Sequence, residues 1–154
     1  MSEQSPLVHR ALARNTGFLI SRLGMLTAKH FAERMATIGL TPRMWGALNV
    51  LDAEGAITQH ALGTCVGMDP STMVSTIDEL ESRRLVERRR NPHDRRAYAL
   101  HITEQGRDTL ARGREIARRA QEELFAPLGA EERKQLHELL LRLLLATQPA
   151  ADEA

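Results

Sequence analysis

The sequence predicts a mainly α fold with a small β-wing, and three observations predict it. Ala, Leu, Arg and Glu dominate while aromatic residues are only 3% of the chain, a composition that favours helices over sheet. Apolar residues recur at helical spacing in several long stretches. One stretch departs from that spacing. Leu85-Val86-Glu87-Arg88-Arg89-Arg90 and Ala97-Tyr98-Ala99-Leu100-His101-Ile102 read as two strands around the turn signal Asn91-Pro92-His93-Asp94.

The elements follow in order. Leu7 to Ile38 reads as one long helix: Leu19, Leu23 and Leu26 share a face, Phe31, Met35 and Ile38 continue it, and Gly39 stops it. So apolar a helix must pack on something, either in its own chain or on a second copy. Thr41 caps the next helix and Pro42 fits its first position, where no N–H is needed. Trp45, Leu48, Val50 and Leu51 form its apolar side, and it ends near Gly55. Thr58 caps a short third helix, Gln59 to Cys65, and Gly67 turns the chain into Met68-Asp69-Pro70.

Asp69 and Pro70 repeat the cap-and-proline start for a fourth helix. Met73, Ile77 and Leu80 form its buried stripe, and Ser71, Thr72, Ser75, Thr76 and Glu79 are assigned to the opposite face. After the hairpin, Thr103 caps a fifth helix that runs to about Phe125 and breaks at Pro127. The sixth spans Glu131 to Leu145, where Leu136, Leu139, Leu140, Leu143 and Leu144 form a wide apolar band that Leu141 and Leu145 nearly close. A chain of 154 residues has little left to cover that band. A two-fold dimer through the first, fifth and sixth helices is the economical arrangement.

Charge gives the hairpin a partner. From Arg83 to Arg96 there are seven arginines (83, 84, 88, 89, 90, 95 and 96) against Glu87 and Asp94, a local net charge of +5 in a chain of net charge +1. The remainder of the chain is therefore at −4, and the positive charge is concentrated in one place. Such a patch suits a phosphate backbone, where neutralised phosphates release counterions. Helix, turn, helix, strand, basic turn, strand is the order of a winged helix-turn-helix. The fourth helix is of a size to enter a major groove about 12 Å wide. Ser71, Thr72, Ser75 and Thr76 are the candidate contacts to bases or phosphates; their alternative role is capping and solvation.

Other chemistry is poorly supplied. There is no glycine-rich phosphate loop, no Gly-x-Ser-x-Gly and no His-Glu-x-x-His, so no catalytic site is expected. The six histidines are scattered without metal spacing, and neither a metal nor a cofactor is expected. No run of eighteen apolar residues and no secretory signal after Met1 are present, so a cytoplasmic protein with no membrane partner is expected. The single cysteine, Cys65, precludes an intrachain disulfide and reads as a small buried side chain, with redox sensing as the alternative.

Leu85-Val86-Glu87-Arg88, the turn Asn91-Pro92-His93-Asp94-Arg95-Arg96 and the sequel Leu100-His101-Ile102-Thr103-Glu104-Gln105-Gly106 resemble the signature of the MarR family of bacterial transcription regulators. That signature is Asp-x-Arg, a strand, then Leu, an apolar residue and Thr-x-x-Gly. The order of elements agrees from about Val8 to Leu145. The resemblance implies one unit over 1–154, with a winged helix-turn-helix lobe at 41–102 and a helical dimerisation lobe at 7–38 and 103–146. It implies a homodimeric, sequence-specific regulator on double-stranded DNA, a repressor released from a pseudo-palindromic operator by an effector. An architectural or non-specific DNA-binding protein is the alternative.

By the same resemblance Asp94 orients the wing tip and Arg96 enters the minor groove, with Arg95, Arg90 and Arg88 on the backbone. A small aromatic or anionic effector would lie between the lobes, and Arg22, His30, Met44 and Trp45 are its candidate contacts; Trp45 is otherwise a core residue. Two features depart from the family pattern. The recognition face offers Ser75, Thr76 and Glu79 where many relatives carry a basic residue. Arg84 stands where relatives commonly end the helix with Gly, and a left-handed residue there costs about 1 kcal/mol more as Arg than as Gly.

Overall fold

The computed structural model describes residues 9–91 and 94–147, and of Asn91 and residues 94–97 it describes the backbone alone. The chain forms two compact units, Met1–Arg118 and Arg119–Ala154. The described elements run α1 (Thr16–Ala36), α2 (Pro42–Glu54), β1 (Ile57–Thr58), α3 (Gln59–Val66), α4 (Pro70–Ser82), β2 (Val86–Asn91), β3 (Asp94–Ile102), α5 (Glu104–Leu124) and α6 (Ala130–Thr147). The mainly helical class with one small antiparallel sheet is as expected.

Every predicted cap from Thr41 to Thr103 is made. The side chains of Thr41, Thr58, Asp69 and Thr103 accept from the N–H groups of Met44, Ala61, Thr72 and Gly106 at 3.2, 3.2, 3.0 and 2.9 Å. Each satisfies one of the orphan donors of a first turn. The first helix is the exception. It begins at Thr16 rather than near Leu7, because Asn15 adopts an extended backbone and its side chain accepts from Phe18 N–H at 2.9 Å. Periodicity alone did not show that start, although Asn15, set between Arg14 and Thr16, is an ordinary cap residue.

The ends of α1, α3 and α4 share one hydrogen-bond pattern. Leu40, Met68 and Leu85 N–H groups reach back to the carbonyls of Met35, Gly63 and Leu80 at 3.1, 3.0 and 2.9 Å. This Schellman closure needs a left-handed residue just before the donor. Gly39 and Gly67 supply it with φ of 73° and 66°, and Arg84 supplies it with φ of 58°. The left-handed position that the family pattern gives to Gly is therefore held by Arg84 here.

The sheet has strand order β1-β3-β2, all antiparallel. The two-residue β1 was not expected from sequence; it pairs Ile57 with Leu100 and Thr58 with Ala99. Val86 pairs with Ile102 and Arg90 with Tyr98, and the register shifts between Arg90 and Asn91. The core joins Met35, Leu40, Met44, Leu48, Leu51, Leu62, Met73, Ile77, Leu80, Leu85, Val86, Leu100, Ile102 and Leu110. It therefore draws on the end of α1, on α2 to α4, on the sheet and on the start of α5.

The Thr-x-x-Gly motif has a local explanation here. Thr103 Oγ1 donates to the Arg84 carbonyl at 2.7 Å, and its backbone N–H donates to the Leu85 carbonyl at 3.0 Å. Gly106 lies against that same Leu85 carbonyl, and a Cβ there would also come within 2.8 Å of Ile102 Cγ1. No side chain fits. The motif welds the first turn of α5 to the end of α4.

Candidate nucleic-acid interface

The helix-turn-helix is α3 and α4 joined by Gly67, Met68 and Asp69. On α4, Met73, Ile77 and Leu80 are buried, as the stripe predicts. Ser71 and Ser75 are exposed and Thr72 is half-buried, so all three stay in the candidate interface. Thr76 does not. It is only 6% exposed, and its hydroxyl donates to the Thr72 carbonyl at 2.7 Å. At 100° per residue it stands about 60° from Met73, which puts it on the edge of the buried stripe rather than opposite it. Its assignment to the exposed face is corrected.

The hydroxyls that remain are already engaged as donors. Ser71 Oγ donates to Asp69 at 2.5 Å, and Ser75 Oγ donates to the Thr72 carbonyl at 3.0 Å. Hydrogen bonds from the Ser71 and Thr72 side chains, then from the Thr72 backbone N–H, hold the Asp69 carboxyl well below the usual carboxylate range. What the face offers a partner is mainly hydroxyl oxygens with free lone pairs. Val74 is exposed on it too, at 44%, and lies between Ser71 and Ser75 in the chain. It was missed in the sequence because only polar residues were sought there; a helical wheel would have found it.

The arginine cluster divides into two kinds. Arg88 is a structural residue, against expectation. Its guanidinium contacts Asp78 Oδ1 at 2.9 Å, Gln59 Oε1 at 3.2 Å and Glu81 Oε2, tying β2 to α4 and to the start of α3. The backbone N–H of Arg88 also donates to Glu81, at 3.2 Å. Its assignment as a phosphate contact is corrected: two carboxylates that the sequence places seven and ten residues upstream compete for the same charge.

Arg83 is also engaged, with Glu79 at 2.7 Å and with the Gly39 carbonyl. Arg89 pairs with Glu87 on the surface. Arg84 and Arg90 are exposed and make no ion pair among the described residues. Asp94, Arg95 and Arg96 open β3, and their side chains lie outside the described residues.

The candidate effector contacts also separate. Met44 is 1% exposed in the core and is corrected to a packing residue. Trp45 is half-buried, edge-on to Phe31 with ring centroids 5.3 Å apart. A Cβ on Gly113 would come within 2.7 Å of the indole, so α5 approaches the ring through a glycine. The indole N–H is buried and finds no acceptor among the described residues. Arg22 is half-buried and His30 exposed on α1. Cys65 is exposed rather than buried, at the end of a helix of only two turns.

Among the described residues no group of three His, Cys, Asp or Glu side chains could hold a metal ion. No described helix is long and apolar enough to cross a membrane.

Known proteins share this arrangement. The model of the MarR family matches residues 38–97. A Thauera aromatica protein described as a transcriptional regulatory protein for the hcr operon is 34% identical over 92% of this chain and 86% of its own length. The transcriptional repressor CouR bound to a 23-mer DNA duplex superposes with a TM-score of 0.80 at 32% identity, over 91% of this chain and 99% of that one. CouR bound to p-coumaroyl-CoA gives a TM-score of 0.75 at 30% identity, over 90% and 97%.

Proposed function

The chain belongs to the MarR family of transcriptional regulators, and from that premise we propose that it is a homodimeric repressor released from a pseudo-palindromic operator by a small aromatic or anionic effector. The observation that carries this reading is the pairing of a hydroxyl-faced α4 with a hairpin whose Arg90 is uncommitted among the described residues. α4 lies in a major groove, with Ser71, Thr72 and Ser75 against bases or phosphates. Arg90 and Arg95 meet the backbone, and Arg96, oriented by Asp94, enters the flanking minor groove. Two-fold symmetry sets the half-sites about one helical turn apart, roughly 10 base pairs.

Support for the dimer comes from apolar side chains left open. Leu19, Ile20, Leu23 and Met25 on α1, and Leu141, Leu143, Leu144 and Leu145 on α6, are all exposed in the single chain. Several large apolar side chains left exposed on each of these two helices favour an interaction surface on each. A second copy is the partner that closed symmetry favours.

Support for the effector comes from Trp45. Its unpaired indole N–H suits a ligand acceptor such as a carbonyl or carboxylate, and its ring suits an aromatic group. Arg22 and His30 complete the candidate set. That CouR binds both a DNA duplex and an aromatic acyl thioester supports the same pair of ligands here. Release requires that the effector bind the DNA-incompetent form more tightly than the competent one.

A thermal-shift series with aromatic carboxylates and their coenzyme A thioesters tests the effector. A true ligand at a hundred times its dissociation constant adds about 2.7 kcal/mol of stability and weakens operator binding. A compound that stabilises the protein yet leaves DNA affinity unchanged is not the effector.

A further inference from the structure

The DNA-facing side of α4 is polar at Ser71, Ser75 and Asp78. Val74 is the exception. It is 44% exposed, three residues after Ser71 and one before Ser75, while its neighbour Met73 is buried at 1%. Val74 is thus not part of the core stripe. On a face that enters a major groove, an aliphatic side chain meets base edges that are almost wholly donors and acceptors. The thymine C5-methyl is the apolar exception among them. A valine set against amino or carbonyl groups would strip them of water and return no hydrogen bond. Set against a thymine methyl, it removes two apolar surfaces from water together.

We propose that Val74 is a specificity-determining residue that selects thymine at one position of each operator half-site, through contact with the C5-methyl group. This rests on the reading of α4 as the major-groove helix. The adjoining serines fit the same base pair. Ser71 and Ser75 already donate their hydroxyl protons to Asp69 and to the Thr72 carbonyl, which leaves their oxygens as acceptors. An A·T pair presents one amino donor to the major groove, on adenine, beside the thymine methyl.

The test removes the methyl from the DNA and leaves the protein intact. Duplexes that bind the full-length protein are first selected from a random pool. Each thymine of a half-site is then replaced in turn by deoxyuridine, which pairs identically and lacks only the methyl. Affinity is measured for the parent, Val74→Ser and Val74→Ala proteins. At one thymine per half-site the parent should bind uracil about fourfold more weakly, the factor equivalent to about 0.8 kcal/mol for one buried carbon.

With Val74→Ser that difference should vanish at the same position, and with Val74→Ala it should shrink. Sensitivity that is absent at every thymine, or that persists unchanged in Val74→Ser, overturns the proposal while the selected duplex still stands as evidence of DNA binding. A pool that yields no preferred duplex overturns the major-groove reading as well.

Discussion

α4 and α6 both carry apolar residues at helical spacing and meet opposite fates. α4 has three large apolar residues on one stripe, and all are buried to within 1%. α6 contains seven leucines, more than any other element, yet has no buried residue. Four of them near its end, Leu141 and Leu143 to Leu145, are between 47% and 64% exposed. The narrow stripe of α4 finds its complement within the chain, in α2, α3 and β2. The broad band of α6 is left without a buried residue in the single chain. Burial therefore follows the supply of a matching surface rather than the hydrophobicity of the helix, and α6 is the element that the proposed dimer would cover.

The largest expected effect breaks the α6 side of that contrast. Leu141→Glu with Leu144→Glu removes two leucines from the proposed dimer interface, each worth about 1.5–3 kcal/mol if fully buried. Sedimentation should show a monomer at concentrations where the parent is a dimer, with far weaker operator binding. The isolated monomer should keep its helical circular dichroism. Unchanged mass would leave α6 exposed for some other reason.

Next comes Gly106→Ala, which acts on the α4 side. The added methyl has no space between the Leu85 carbonyl and Ile102, and overpacking costs about 1–3 kcal/mol. Denaturant midpoints should fall accordingly, with no direct effect on dimer contacts. A stability equal to the parent's would mean that α5 can shift freely, and would remove the weld between α4 and α5.

Arg88→Ala and Arg90→Ala form a matched pair that separates structural from DNA-facing charge. Arg88→Ala strips partners from Asp78, Glu81 and Gln59 and should destabilise by about 2 kcal/mol. Arg90→Ala should change stability by less than about 0.5 kcal/mol. It should weaken DNA binding and reduce the salt dependence by about one phosphate. The reverse assignment of effects would exchange the two roles.

The smaller effects concern the ends of α4. Arg84→Gly relieves a left-handed arginine at φ 58° and should stabilise by about 1 kcal/mol, read as a raised denaturant midpoint. At the other end, the Asp69 carboxyl is held below its ordinary range by the Ser71 and Thr72 side chains. Its contribution is complete above the unfolded value near 3.9 and is lost as pH falls towards the depressed folded value. The melting difference between the parent and Asp69→Ala should be flat from neutral pH to about 4 and should shrink below that. A difference that already fades between pH 6 and 5 would contradict the hydrogen-bonded cap.

Much of this was legible in the sequence, and the misses share a cause. Caps such as Thr41-Pro42 and Asp69-Pro70 are local signals, and they mark the described starts of α2 and α4. The stripe of Met73, Ile77 and Leu80 is likewise local. Thr76 and Arg88 were misassigned because their partners come through the fold: the Thr72 carbonyl beneath one, and Asp78, Glu81 and Gln59 around the other. A count of arginines gives the charge of a stretch but not how much of it is already neutralised. Met44 was misplaced for a similar reason, since only the packed core shows which residues of α2 are enclosed.

The central claim is that paired copies present α4 and its hairpin at the pitch of duplex DNA. Titrating a selected duplex against the full-length protein at several salt concentrations, with the mass of the complex measured in parallel, tests it directly. The account predicts two protomers per duplex and an affinity that falls with salt. It also predicts a preference over random DNA of at least about a thousandfold. One protomer per duplex with no preference among sequences would contradict it and favour an architectural DNA-binding role.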